Sequence, residues 1–250
     1  MKFWNFQAKG ERTGELLLYG EISDVSWWGD EVTPKQFQQD LAAMGELDRL
    51  DIYVNSPGGD VFAGFSIYNI IKRCAAEVVA HVDGLAASAA SIVCMAADKI
   101  IMPKNATMMI HNASTYAYGN KEKIRKLAEE LERIDGQIAD IYAAKTGVES
   151  EKAAEMMAAE TWMSGEEAFA LGFCDELDDL QAVACANVAK YANMYRNTPE
   201  HLKEEPQAPG EPEPTADGGK RQPVTDKDDT ALEEQRKTLW NLRKKINGGM

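Results

Sequence analysis

Asp51-Ile52-Tyr53-Val54-Asn55-Ser56-Pro57-Gly58-Gly59-Asp60 is the stretch whose reading decides the fold. Residues 51–55 read as a short apolar strand, and 60–73 read as a helix. Between them stand paired glycines, which let backbone approach closely and leave N–H groups able to face an anion. The turn is not a Walker loop, because the lysine and its spacing are absent. It is not the G-x-G-x-x-G dinucleotide fingerprint either. A tight strand-to-helix connection explains the same residues without any ligand.

Working outward, the same alternation repeats. Leu16-Leu17-Leu18-Tyr19 reads as a strand and 34–44 as a helix. Val78-Val79-Ala80-His81-Val82 reads as a strand and is followed by a small-residue helical run at 86–96. Short strands over 98–102 and 107–110 flank a turn at Pro103-Lys104-Asn105. Strand and helix in alternation imply βαβ crossovers and an α/β fold. The longest helix is expected over 120–146, opened by Asn120 as N-cap and closed by Gly147. Along it Ile124, Leu127, Leu131, Ile134, Ile138 and Ile141 form a narrow heptad-like seam. Such a seam packs either on the domain core or against a partner chain, and the period fits both.

Composition narrows the classes. The 250 residues carry 41 acidic and 27 basic groups, a formal net charge of −14. That excess disfavours non-specific nucleic-acid binding and anionic membrane surfaces, both of which need basic residues. Four cysteines without a C-x-x-C pair exclude zinc-ribbon and thioredoxin readings. The start lacks a secretory signal and no window reaches transmembrane length, so a soluble, cytoplasmic protein is expected.

Character changes near residue 196. Six of the nine prolines lie in 198–229 among Glu, Asp, Gly and Thr, so 196–229 reads as a disordered linker. Residues 230–250 regain helical spacing at Leu232, Leu239, Leu242 and Ile246, either a frayed surface helix or a tethered docking peptide. Residues 196–250 hold ten basic and eleven acidic groups, so the acid excess belongs to the body, 1–195.

Three residues could carry chemistry together. Ser88, in Gly84-Leu85-Ala86-Ala87-Ser88-Ala89, stands where helix N–H groups can stabilise an oxyanion and small neighbours admit a substrate backbone. Taken alone, the stretch is better explained by a close-packed buried helix with Ser88 bonded to its own backbone. His111 ends an apolar strand in Met108-Met109-Ile110-His111-Asn112, whereas His81 lies inside a strand and His201 in the tail. Glu160, in Ala159-Glu160-Thr161-Trp162, is either an exposed acid or the carboxylate that orients a histidine. Ser164 and Glu167 fit a capping box and read as structural. A nucleophile, one base and a Gly-Gly turn together make acyl transfer the leading reaction class.

From about residue 14 to residue 180, these ordered motifs resemble the Clp protease proteolytic subunit family of serine peptidases. The resemblance implies a crotonase-like α/β fold of repeated β-β-α units with 120–146 as a protruding handle helix. It implies Ser88 as nucleophile, His111 as general base and Glu160 as third member, where the family usually has Asp. It further implies that the N–H groups of Gly59 and Ala89 form the oxyanion hole. An extended substrate would pair beside the 52–57 strand, with no metal or organic cofactor required. Protein or peptide substrates, homo-oligomeric stacked rings (a tetradecamer in the family) and a Clp ATPase unfoldase are the implied partners. Met1–Gly10 and Ser26-Trp27-Trp28-Gly29-Asp30-Glu31 depart from the family's entrance region. The Glu-Thr-Trp variant and the added tail are similar to the phage and prophage branch, which processes capsid proteins. Two rivals share the fold: an acyl-CoA hydratase or isomerase, and a non-catalytic capsid-assembly scaffold.

Overall fold

Near-continuous apolar runs such as Val78–Val82 are suited to strands buried on both faces, and parallel pairing with helical crossovers supplies that burial. The computed structural model describes residues 6–10, 12–23, 34–178 and 195–203, and it has this architecture. After β1 (Phe6–Ala8) and β2 (Thr13–Tyr19) come α1 (Pro34–Ala43), β3 (Arg49–Ser56), α2 (Val61–Lys72) and β4 (Glu77–Ala87). Then follow α3 (Ala89–Cys94), β5 (Lys99–Pro103), β6 (Thr107–Ile110), α4 (Lys121–Thr146) and α5 (Ser150–Ala158). The described chain closes with β7 (Thr161–Ser164), α6 (Gly165–Leu171), β8 (Glu176–Asp178) and α7 (Glu200–Lys203).

The sheet runs β1-β2-β3-β4-β5-β8, with β6 on β4 and β7 on β6. All pairs are parallel except β1–β2 and β6–β7. The α/β class agrees with the sequence reading. Its β-β-α grouping holds for β1-β2-α1 and β5-β6-α4, whereas β3 and β4 each lead straight into a helix.

β4 is the strand that forks. Its first half pairs with β5 through Val79–His81, and its second half pairs with β6 through Leu85–Ala87. This corrects the expected helical run at 86–96: Ala86 and Ala87 are strand, and the helix begins at Ala89. Their N–H and C=O groups are taken by neighbouring strands before the helix can claim them.

One face of the sheet packs under the helices. Leu16, Leu50, Ile52, Ala80, Val82 and Met108 meet Phe37, Ile67, Ile92, Ile138 and Tyr142 there. On the opposite face, Leu85, Ala87 and Met109 form a second cluster with Leu202, flanked by Trp162 and Tyr195. Helix ends follow the expected chemistry. Asp60 caps α2 through Ala63 N–H (2.7 Å), and Asn120 caps α4 through Lys123 N–H (3.1 Å). Ser164 and Glu167 form the capping box of α6.

The seam of α4 divides. Ile134 and Ile138 are buried in the core, whereas Ile124, near the other end, is 47% exposed and Leu127 and Leu131 are partly buried. The tail reading also shifts: Arg196, Asn197 and Leu202, assigned from composition to the linker, contact the body. Residues 204–229, the helix expected in 230–250, and the segment 26–31 lie outside the described residues.

Candidate active site

In an open parallel sheet, loops beyond the strands' carboxyl ends form the natural crevice. Three such ends converge here: Pro57-Gly58-Gly59 after β3, Ser88 after β4 and His111 after β6. Glu160 arrives from the other direction. Because β7 runs antiparallel to β6 with Ile110 opposite Thr161, continuing the register one step sets Glu160 opposite His111.

Ser88 occupies a sharp corner with φ 54° and ψ −124°, between the last residue of β4 and the first of α3. A non-glycine residue at positive φ costs about 1–3 kcal/mol and persists only where its surroundings enforce it. Among the described residues only two non-glycines adopt positive φ, Ser88 and Glu160 (φ 52°). Both belong to this site.

The corner is held from several sides. Ser88 N–H donates to the Met109 carbonyl (2.9 Å). Ser91 Oγ donates to the Ser88 carbonyl (2.6 Å) and accepts from the hydroxyl of Tyr142 (2.8 Å), since its own proton is committed. Tyr142 is fully buried, and burial pushes its phenol pKa up, so it remains a donor. Neither Ser91 nor Tyr142 was assigned a role from sequence. Tyr142 lies 51 residues from Ser91, and only the packing of α4 on α3 joins them.

The Gly-Gly turn backs directly onto this corner. A Cβ on Gly58 (φ 93°) would stand 2.5 Å from the Ala87 carbonyl and 2.7 Å from Ser88 Cβ. A Cβ on Gly59 (φ 145°) would stand 2.0 Å from the Ile22 carbonyl. Close approach and positive φ both require glycine here. Gly58 N–H donates to Ser56 Oγ (3.1 Å), and Asp60 N–H to Ile22 O (2.8 Å). The N–H groups of Gly59 and Ala89 donate to no protein acceptor among the described residues. The expected substrate pairing beside 52–57 needs correction, because β3 is bordered by β2 over Arg49–Asn55 and by β4 over Arg49–Ser56. Both its edges are occupied, so backbone is open to a peptide only beyond Ser56.

The central contact is His111 Nε2 to Ser88 Oγ, 2.8 Å. Burial lowers the His111 pKa; the Glu160 carboxylate raises it and the Arg196 guanidinium lowers it. The net shift is downward, which keeps the imidazole neutral and able to accept a proton near pH 7. Glu160 is 5% exposed. Burial pushes its pKa up, but N–H donation from Asn197, Arg196 and the Trp162 indole, together with His111, outweighs this and holds it below the ordinary value. Thus Ser88 and His111 are joined by a hydrogen bond, while Glu160 acts on His111 through its charge. Its own hydrogen bonds run to Trp162 Nε1 (3.2 Å), Arg196 N (2.9 Å) and Asn197 N (2.6 Å).

Among the described residues, no cluster of three or more His, Cys, Asp or Glu is arranged to hold a metal. No helix of the described residues is long and apolar enough to cross a membrane. The arrangement can perform nucleophilic acyl transfer: a hydroxyl on a neutral imidazole, a buried anion behind it, and backbone N–H groups in front.

Comparison with known proteins points the same way. A family model described as Clp protease matches residues 29–180. The ATP-dependent Clp protease proteolytic subunit of Deinococcus radiodurans is 34% identical over 187 residues, covering 69% of this chain and 88% of that protein. Proteolytic subunit 2 of the ATP-dependent Clp protease from Treponema denticola is 32% identical over 170 residues, covering 66% and 82%. Among solved structures, a mutant of ClpP1 from Listeria monocytogenes aligns with a TM-score of 0.58 at 27% identity, covering 68% of this chain and 93% of that one.

Proposed function

The chain belongs to the Clp protease family of serine peptidases, and we propose on that premise that Ser88, His111 and Glu160 form its peptide-cleaving triad. The observation that carries this reading is the 2.8 Å contact between Ser88 Oγ and His111 Nε2 at a strained strand-to-helix corner. Ser88 Oγ attacks the scissile carbonyl as His111 takes its proton. The buried Glu160 anion stabilises the imidazolium that results. Gly59 and Ala89 N–H groups receive the oxyanion. His111 then protonates the leaving amine, and water repeats the sequence in reverse to free the acyl-enzyme. Rival readings as an acyl-CoA hydratase, isomerase or scaffold have no use for a hydrogen-bonded Ser–His pair.

Homo-oligomeric assembly, in stacked rings that enclose the sites, is the reading that family membership supports, and the exposed half of α4 is consistent with it. Ile124 together with the fully exposed Tyr116 and Tyr118 presents apolar surface that a second copy would cover. A Clp ATPase that delivers unfolded chains is the partner that the relatives' names suggest. The Glu160-Thr161-Trp162 variant and the tail beyond 203 favour a phage-type role in which capsid proteins are the substrates. On this reading the chain acts in the cytoplasm.

The test is a fluorophosphonate probe with the purified protein. Ser88 is expected to be the labelled residue, and Ser88→Ala is expected to abolish both labelling and peptide cleavage. Labelling elsewhere, or wild-type cleavage by Ser88→Ala, would overturn the triad. Sedimentation of a fully active monomer would overturn the chamber.

A further inference from the structure

Beyond the residues matched by the family model, residues 195–203 fold back over the site. Tyr195 donates its hydroxyl to the Pro57 carbonyl in the Gly-Gly turn. Its ring meets the His111 imidazole edge-on, with centroids 5.4 Å apart at 83°, and meets Trp162 at 5.6 Å and 80°. Arg196 N–H and Asn197 N–H each donate to a different oxygen of Glu160. Asn197 Nδ2 and Arg196 Nη2 donate to the Ala159 and Ala158 carbonyls (3.0 and 3.2 Å). Leu202 anchors the far end against Leu85, Ala87 and Met109.

Glu160 depends on this segment. Among the described residues, only the Trp162 indole of the groups donating to its carboxylate comes from the family-matched region. A buried carboxylate left with one long indole hydrogen bond is costly, and it relieves the cost by turning away or by taking up a proton. Either response removes the fixed negative charge behind His111. Tyr195 meanwhile restrains the imidazole and the turn that carries Gly59.

We infer that Tyr195, Arg196 and Asn197 form a strap that positions the triad, with the two backbone N–H groups holding the Glu160 carboxylate and the Tyr195 ring holding His111. The inference rests on the triad reading above. Its three members are positioning residues, acting through Glu160 and His111.

The test uses the full chain with a fluorogenic peptide, reading kcat and KM separately across pH. Asn197→Pro removes the N–H donor and is expected to lower kcat roughly 10- to 100-fold with KM little changed, the scale of a misplaced catalytic group. Asn197→Ala keeps the N–H, loses only the bond to Ala159 O, and is expected to fall a few-fold at most. Tyr195→Ala is expected to lower kcat about 10-fold, and it serves where Asn197→Pro does not fold. Glu160 and Arg196 are the charged groups acting on His111. Arg196→Met should therefore move the acid limb of kcat/KM to higher pH, and salt should shrink that shift because the Arg196 side chain is largely exposed. Equal kcat in Asn197→Pro and Asn197→Ala overturns the strap, as does wild-type kcat in Tyr195→Ala. A rise in kcat in any of them overturns it too, showing the segment to be a restraint. Ser88→Ala in the same assay separates the two proposals: if it stays active, the triad itself is wrong.

Discussion

Two histidines in this chain each face a carboxylate, and only one sits where chemistry can happen. His81 lies in the middle of β4, with Nε2 2.9 Å from Asp51 Oδ1 and its ring stacked on Tyr53 at 4.7 Å and 14°. Asp51 is further held by two bonds from Arg49 (2.9 and 2.7 Å). His111 lies one residue beyond β6, bonded to Ser88 and facing Glu160 across space. By hydrogen-bond geometry alone, His81 looks more like the imidazole of a triad. What it lacks is position: Tyr53 on β3 and Ile101 on β5 border it on both sides, leaving no strand end and no nucleophile. A His–carboxylate pair stabilises a sheet as readily as it serves catalysis. Location at the carboxyl ends of the strands separates the two.

The largest expected effect tests that distinction directly. His111→Ala and Ser88→Ala should each lower kcat by about 10⁴- to 10⁶-fold. His81→Ala should leave it within about threefold, as a distant and independent site. Comparable losses at both histidines would break the comparison. Next in size come the two acids. Glu160→Gln keeps the shape and removes the charge behind the imidazole, so kcat should fall roughly 10²- to 10⁴-fold. Asp51→Asn should leave kcat nearly intact and cost about 1–3 kcal/mol of stability, read from the denaturant midpoint.

Much of this arrangement was legible in the sequence because it is written in local signals. Strand, glycine pair and helix follow one another at 51–73, and Asn120 and Gly147 mark the ends of α4 where the cap geometry requires them. His111 is marked by the poor placement of His81 and His201, whereas Ser88 is marked only in combination, by the ordered motifs that resemble the family. The helix boundary at Ala89 did not, because Ala86 and Ala87 suit helix and strand equally and the partner that decides, β6, lies about twenty residues on. Tyr142 and the strap were hidden for the same reason. Composition marks 196–203 as linker-like, and the hydrogen bonds that order Arg196 and Asn197 come from a carboxylate 36 and 37 residues away.

A pH profile sharpens the comparison further. The His111 pKa is lowered chiefly by burial, so its basic form persists below the ordinary value of about 6.5. The acid limb of kcat/KM should therefore fall below that value. Substitution of His81 should not move it. Asp51 acts through stability instead. Burial pushes its pKa up, but Arg49 and His81 outweigh this and the net shift is downward. A carboxylate with a depressed folded pKa contributes stability above its unfolded pKa, about 3.9, and loses it as pH falls through the folded value. The deficit of Asp51→Asn at pH 7 should accordingly shrink in acid, while its kcat/KM profile stays on that of the wild type.

The smallest expected effect belongs to His81→Phe. The ring stack on Tyr53 can survive, and only the bond to Asp51 is lost, leaving that carboxylate its two bonds from Arg49. Because an accepting group that keeps other donors pays little for losing one, the cost should be about 1 kcal/mol or less. Combining His81→Phe with Asp51→Asn tests whether the pair acts as a unit. Residues in direct contact should show a coupling of about 0.5 kcal/mol or more in the double-mutant cycle. If the cycle couples in stability and stays flat in kcat, the His81–Asp51 pair is a clasp between β3 and β4. If it couples in kcat, the outer face of the sheet communicates with the strand ends, and position alone does not separate the two histidines.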